Sequence, residues 1–411
     1  MSVITVFSGS FCNENDVIRE VLSRSGYRLV KDEDLVARAC SLSGIAENKI
    51  KRAFLSKTSV FNKFTHEKEL SVAYLRLALA RMLSGDNLLF AGFSGLLIPR
   101  NITHVLHVCL IADMKSRIAR AVREKGFSEK EAVSAISRLD IDCSEWTRRL
   151  QDKSDPWDAS LYDIVIPTDK VDPARAGEVI EKNMVKEVIM PTEYSRRAIS
   201  DFVLAAKVET ALAREGHVAD ISARDDSVTI TINTNVLMLG RLEKELKTVA
   251  QQVDGVKSVE TRVGKGFYQT DIYRKYDFNT PSKVLLVDDE REFVQTLSER
   301  LQMRDMGSAV AYDGESALEL VNEDEPEVMI LDLRMPGIDG LEVLKKVKKS
   351  RPEIEVIILT GHGSDADRKL CMELGAFAYL HKPVDIDVLS ETLRKANAKV
   401  QSLKDRKGSH A

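Results

Sequence analysis

Short apolar runs separated by stretches in which apolar positions recur every three or four residues mark both ends of this chain. Near the start, 3–7, 87–91, 105–111 and 162–166 read as strands, with periodic helices at 69–83 and 113–126 between them. Ser128 and Glu131 form an S-x-x-E capping box that opens the next helix. Near-continuous apolar strands alternating with helices predict an α/β domain with a mostly parallel sheet. Toward the far end, apolar strands at 284–287, 308–312, 328–331, 355–359 and 376–380 alternate five times with helices, the pattern of a doubly wound sheet. The middle differs. A helix at about 195–215 precedes two alternating strands in ADISARDDSVTITINT, joined at Asp225-Asp226. A helix at about 236–254 and a short strand in GVKSVETRV complete an α-β-β-α-β order, a small α+β module. The expected division is a domain at 1–190, a module at 194–264, a linker at 265–282 and a domain at 283–403. The linker has no clean period, yet Phe267, Tyr268, Tyr273, Tyr276 and Phe278 suggest that it packs on something.

At 411 residues the chain exceeds one ordinary core, in keeping with an α/β multidomain protein. Its 44% hydrophobic and 30% charged content is that of a soluble globular protein, and a net charge of −4 argues against a generally basic nucleic-acid binder. No apolar run is long enough to span a bilayer, and the start lacks the pattern of a secretory signal. Cys12, Cys40, Cys109, Cys143 and Cys371 are scattered without CxxC spacing, which reads as reduced thiols in a cytoplasmic protein. His104 and His107 lie three apart in an extended run and so face opposite sides, which argues against a metal pair.

In a doubly wound sheet, ligands gather beyond the carboxyl ends of the strands. Asp288-Asp289-Glu290 follow the first C-terminal strand, Asp332 the third, Thr360 the fourth and Lys382-Pro383 the fifth. Carboxylates so close call for a hard divalent cation with oxygen ligands. Mg²⁺ there neutralises an incoming phosphoryl group while one carboxylate attacks its phosphorus. The stretches VLLVDDE, MILDLRMPGIDG, VIILTGHGS and AYLHKPV resemble the response-regulator receiver domains of two-component signalling, across essentially all of 283–403. The resemblance implies a (βα)5 flavodoxin-like fold in which Asp332 accepts a phosphoryl group from a sensor histidine kinase. It implies that Asp289, Asp332 and the backbone carbonyl of Arg334 hold Mg²⁺, with Asp288 helping through water. It also implies that Lys382 pairs with the phosphate, that Thr360 hydrogen-bonds it, and that Tyr379 reports the switch by its rotamer.

The N-terminal segment begins as a phosphate loop begins: an apolar strand, the turn Ser8-Gly9-Ser10, then a helix whose positive end would face an anion. This start, with LLFAGFSG, VREKGFSEKEAVSAISRLDID and DPWDASLYDIVIPTD, resembles the cytidylate-kinase-like family of P-loop nucleotide kinases over about 1–190. The resemblance implies a nucleoside-monophosphate kinase fold binding ATP or CTP with Mg²⁺, and CMP as second nucleotide. The departures cluster at the chemistry. The loop has no lysine, Phe11 and Cys12 follow the turn, and Glu14 and Asp16 occupy the first helical turn, where the anion would sit. Phe93 and Cys143 stand where the family tends to carry arginines. Arg117, Arg120 and Arg123 recur along one helix, with Arg138, Arg148 and Arg149 nearby. They form either an anion-binding lid or a solvated charged face. The expected outcome is a degenerate kinase-like domain without kinase turnover, with Ser8, Gly9 and Ser10 a vestigial nucleotide site where nucleotide sensing stays open.

Residues 194–264 resemble a BON domain in element order, in SVTITI and in VDGVKSV. That implies protein or lipid contact, and contact or dimerisation is the reading taken. The last helix carries Ile386, Leu389, Leu393, Ala396, Val400 and Leu403 at spacings of three and four, as a modest homodimer contact or an ordinary amphipathic helix. Together these features predict a cytoplasmic two-component response regulator that does not bind DNA directly, its output passing upstream or to a downstream protein. Two rival readings stay open: a nucleoside-monophosphate kinase gated by the receiver, and a scaffold that recruits protein or lipid through the BON-like module.

Overall fold

The computed structural model describes residues 2–234, 236, 239–264, 267, 283–304, 306–361 and 363–408. The chain divides into two compact units, Met1–Thr58 with Glu67–Arg274, and Ser59–His66 with Lys275–Ala411. Of the linker aromatics, Phe267 packs against the core of the small module, and the other four lie outside the described residues.

In the first unit, β1 (Val3–Ser8), β2 (Arg28–Lys31), β3 (Leu88–Ala91), β4 (Val105–Ile111) and β5 (Ile164–Pro167) form one sheet in the order β2-β3-β1-β4-β5. Every pairing is parallel. Successive strand residues point to opposite faces, so each central strand feeds two cores. Val3, Phe7, Phe90 and Cys109 join one cluster with the helices Asp32–Ser43 and Glu67–Met82. Ile4, Val6, Leu89 and Val108 join another with Glu14–Ser25 and Pro173–Met184. Burial on both faces is why these strands read as continuous apolar runs. The pattern did not reveal β2, since Arg28-Leu29-Val30-Lys31 is a short edge strand with only Val30 buried. His104 and His107 are both buried, and their rings meet separate hydroxyls, Ser195 Oγ at 2.8 Å and Thr5 Oγ1 at 3.0 Å.

The same unit contains a second sheet of β6 (Asp220–Arg224), β7 (Ser227–Ile232) and β8 (Ser258–Val263). β6 and β7 are antiparallel, and β7 and β8 are parallel. Asp225 and Asp226 make the connecting turn at φ 51° and 67°, the left-handed pair that a two-residue hairpin of matching twist needs. The helix Glu193–Arg214 serves two cores. Ala198, Ile199, Phe202 and Ala206 pack into the large-sheet cluster, whereas Leu204, Val208 and Leu212 cover Val228, Ile230 and Ile232 of β7. One helix shared in this way joins the α-β-β-α-β module to the parallel-sheet layer as a single unit, where the chain pattern suggested a boundary near 190.

In the second unit, β9 (Val284–Val287), β10 (Ser308–Ala311), β11 (Val328–Leu331), β12 (Glu355–Thr360) and β13 (Ala378–His381) form a parallel sheet in the order β10-β9-β11-β12-β13. Five helices alternate with the strands, giving a flavodoxin-like doubly wound fold. Leu285, Val287, Leu331 and Ile358 face one helical layer, and Val284, Leu286, Ile330 and Leu359 face the other. Leu389, Leu393, Ala396 and Val400 of the last helix, Ile386–Gly408, are buried, so that apolar stripe serves the domain's own fold. Among the described residues no helix is long and apolar enough to cross a membrane.

Leu286 lies fully buried in β9, an interior strand of this sheet. Leu286→Ala is expected to destabilise the unit by about 2–5 kcal/mol through lost transfer energy and a residual cavity, read as a lowered midpoint in denaturant unfolding.

Candidate functional site

The parallel register of the second unit aligns its strand ends. Val287 stands opposite Leu331, Leu331 opposite Ile358, and Thr360 opposite His381. The residues immediately beyond therefore converge at one edge. Carboxylate oxygens of Asp288, Asp289 and Asp332 all lie within 4.8 Å of one another. Asp288 and Asp332 are buried, while Asp289 is exposed. Lys382 reaches in from beyond β13, with Nζ 2.6 Å from Asp288 Oδ2, 2.9 Å from Glu290 Oε1 and 3.2 Å from Asp332 Oδ2. Its ammonium lies over the Phe293 ring, 4.6 Å from the centroid.

The electrostatics are lopsided. Burial raises the Asp288 carboxyl above the usual range, against the lowering effect of its hydrogen bond from Lys382. Burial acts to lower the Lys382 ammonium, but hydrogen bonds to Asp288 and Glu290 outweigh it, and the net shift is upward. Three carboxylates share one lysine here and Asp289 stands beside them, leaving negative charge that a hard cation with oxygen ligands balances well. The donor set fits such a cation on chemistry and spacing alike.

Backbone and second-layer groups hold Asp332 in place. Asp332 Oδ1 accepts the Leu333 amide at 2.7 Å, and the Arg334 amide approaches it at 3.4 Å. Gly340 lies directly against the Asp332 carbonyl, where a Cβ would overlap it. Thr360 is buried at the end of β12, and its carbonyl accepts the Lys382 amide at 3.0 Å. Tyr379 points inward against Gly363, with its ring edge to His381, and its buried hydroxyl has no partner among the described residues. The structure thus brings together the strand-end residues Asp288, Asp289, Asp332, Thr360 and Lys382, with Arg334, named from the resemblance alone, two residues beyond Asp332, while Tyr379 stands in β13 itself. Glu290 as a Lys382 partner and Gly340 beneath Asp332 were not foreseen. The Asp-Asp-Glu run was the available signal for the first, and nothing local signalled the second.

At the N-terminal loop the picture reverses. Arg117, with a side chain 7% exposed, is turned inward, so a solvated face does not describe it. Its Nε donates to the Ser10 carbonyl and its Nη2 to Ser10 Oγ, both at 2.8 Å. The same guanidinium holds Asp140 bidentately at 2.9 and 2.6 Å. Arg123 is the solvated member of that helix, and Arg148 and Arg149 pair with Glu145 and Glu69. Gly9 sits against Cys12 Sγ and Trp157, with no room for a Cβ. Phe11 and Asn13 both take φ 60°, a left-handed conformation that glycine adopts without strain.

Beside this loop a cavity of about 260 Å³ is lined by Phe7, Ser8, Glu14, Lys31, Asp32, Glu33 and Phe93, among others. Asp32 accepts the Phe93 and Ser94 amides at 2.8 and 2.9 Å. Burial pushes the half-buried Asp32 carboxyl up to about 6. Burial, then the neighbouring Asp32, push Glu14 up to about 7. Such a lining disfavours a phosphate. It also makes a pH prediction. Between about pH 4, where an unfolded glutamate titrates, and pH 7, the unfolded chain has released a proton that folded Glu14 retains. Stability therefore falls as pH rises through that window. Glu14→Gln is expected to raise unfolding stability by roughly 1–2 kcal/mol at pH 8, after allowance for solvent screening, and by nothing near pH 4. Melting curves of both proteins across that range check it.

Residues 284–394 match the family model for the response regulator receiver domain, and 3–170 match that for the cytidylate kinase-like family. The transcriptional regulatory protein CpxR of Escherichia coli (strain K12) is 44% identical over 102 residues, which are 25% of this chain and 43% of that protein. CpxR of Klebsiella pneumoniae subsp. pneumoniae (strain HS11286) matches at the same identity and coverage. The chain thus spans less than half the length of these curated relatives. Among solved structures, a response regulator receiver domain protein from Clostridium thermocellum is 34% identical, covering 29% of this chain and 98% of its own, with a TM-score of 0.29. The C-terminal part of this chain thus matches the response regulator receiver domain, and its N-terminal part matches the cytidylate kinase-like family.

Proposed function

We propose that this protein is a two-component response regulator in which Asp332 accepts a phosphoryl group from a sensor histidine kinase. The observation that carries this reading is the cluster of Asp288, Asp289 and Asp332 within 4.8 Å, with Lys382 Nζ 3.2 Å from Asp332. A carboxylate oxygen of Asp332 forms the new bond to phosphorus as the donor's P–N bond breaks, and that electron pair leaves on the imidazole nitrogen, which takes a proton. Asp289, Asp332 and the Arg334 carbonyl would hold Mg²⁺, with Asp288 acting through water, and bound Mg²⁺ supplies charge neutralisation for the transferred group. Lys382, already fixed by Asp288 and Glu290, presents a positive charge to the phosphoryl oxygens. Thr360 donates its hydroxyl to the same group. Tyr379, whose buried hydroxyl has no partner among the described residues, acts as the switch side chain.

In the same reading the kinase-like part does not transfer phosphate. Its loop is filled by Arg117 and closed by Phe11 and Cys12, and Glu14 and Asp32 line the adjoining cavity. The α-β-β-α-β module acts as a BON-like contact surface, supported by its element order alone.

Incubating the full chain with a radiolabelled small phosphodonor and Mg²⁺ should label one site, and Asp332→Ala should lose at least nine-tenths of that label. Undiminished labelling in the variant sinks the assignment. Asp289→Asn should weaken the Mg²⁺ dependence of labelling tenfold or more. Thermal melts of the full chain with ATP, CTP or CMP, each with and without Mg²⁺, should show no shift. A ligand bound at a hundredfold excess over its Kd would add about 2.7 kcal/mol to the native state, and such a shift would restore the receiver-gated kinase reading.

A further inference from the structure

Residues 59–66 lie in the N-terminal half of the sequence but pack with the receiver. The chain leaves the first unit at Thr58, gives Ser59–His66 to the second, and returns at Glu67. Phe61 has no exposed surface and belongs to the cluster that contains Leu285, Val287, Ala317, Val321, Leu331 and Met335. The Val60 amide donates to Asp324 Oδ2 at 3.3 Å, at the end of the helix Gly314–Asp324. The segment is ordered within itself. The Phe61 amide donates to Ser59 Oγ at 3.1 Å, and the Phe64 and Thr65 amides donate to the Phe61 carbonyl at 2.8 and 3.0 Å. In the first unit, Lys68 Nζ donates to the Leu55 carbonyl at 2.7 Å and to Thr58 Oγ1 at 3.2 Å. One ammonium thus ties the departing chain to the returning one.

A connecting segment ordinarily stays on the surface, since burying its backbone leaves polar groups to satisfy. Here the backbone is satisfied by its own helical turn and by Asp324, and a phenyl ring fills apolar space in the receiver's core. We propose that the receiver carries a docking site for residues 59–66 of its own chain, with Phe61 as the plug and Asp324 as the amide acceptor, and that this docking is coupled to the phosphoryl state of Asp332. The second clause rests on the phosphoacceptor reading above. Leu331 and Met335, which share the cluster with Phe61, flank Asp332 in sequence on either side. A repacking of that loop on phosphorylation therefore alters the seat of the ring. A loop that shifts Leu331 and Met335 on phosphorylation loosens the seat of the Phe61 ring and, by reciprocity, the docked plug opposes phosphorylation.

Hydrogen–deuterium exchange on the full chain tests this. Peptides covering 59–66 should exchange at least tenfold more slowly than the free-chain rate, equally so after hundredfold dilution. Phe61→Ala should speed that exchange tenfold or more, and Asp324→Ala severalfold, with peptides from 283–331 otherwise unchanged. Free-chain exchange in the unmodified protein overturns the docking, as does indifference to Phe61→Ala. Protection lost on dilution overturns it too, by showing that a second copy supplies the segment. Should Phe61→Ala unfold the receiver, seen as fast exchange throughout 283–403, the Asp324→Ala result decides. With the phosphodonor, exchange at 59–66 should rise at least threefold in step with label, and not in Asp332→Ala. Label without that rise overturns the coupling. Absence of label counts against the phosphoacceptor reading, while the docking still stands or falls on the unlabelled comparison.

Discussion

A single ammonium, Lys382 Nζ, lies within 3.2 Å of three carboxylates, those of Asp288, Glu290 and Asp332. With like charges about 4 Å apart repelling by several kcal/mol at an effective dielectric near 20, this edge of the sheet would otherwise push itself apart. The lysine does not finish the task, because Asp289 and the surplus of the other three remain. The receiver is thus assembled around an incompletely balanced charge, and that imbalance is what makes it receptive to a cation and then to a phosphoryl group. The parallel register, the glycine beneath Asp332 and the ring of Phe293 beneath the lysine ammonium all serve to hold these groups at fixed separations.

The N-terminal sheet poses the opposite electrostatic problem and answers it internally. A strand, a turn and a helix start would leave amide donors and a positive end for an anion. Instead, Arg117 enters from a neighbouring helix, takes the Ser10 oxygens and is neutralised by Asp140. Glu14 and Asp32 then line the helix start as carboxyl groups that burial makes hold their protons well above the usual range. Two sheets of similar winding in one chain therefore present opposed surfaces at their carboxyl ends. One faces solvent with unspent negative charge, and the other is closed by its own side chains.

Element positions were largely legible because they follow from local period. Strands buried on both faces announce themselves as apolar runs, the Asp225-Asp226 turn as a polar break between alternating strands, and the Ser128 capping box as a spacing of three. The receiver's residues were legible for a related reason. A doubly wound sheet places whatever follows each strand at one edge, so Asp288, Asp332, Thr360 and Lys382 could be gathered by their position in the pattern alone.

What the sequence determined by itself was this set of strand ends and the residue types beyond them. Tertiary structure alone decided which long side chains turned inward, because such choices depend on partners far away in the chain. Arg117 and Arg123 share a helix, a charge and a helical pattern, yet only Arg117 finds Ser10 and Asp140 within reach. The helix Glu193–Arg214 reads as one amphipathic stretch, and only packing reveals that its two apolar faces serve two cores. The cluster that buries Phe61 begins more than two hundred residues later in the chain, at Leu285. Local pattern fixes what a segment can become, and the energy of distant contacts fixes what it meets.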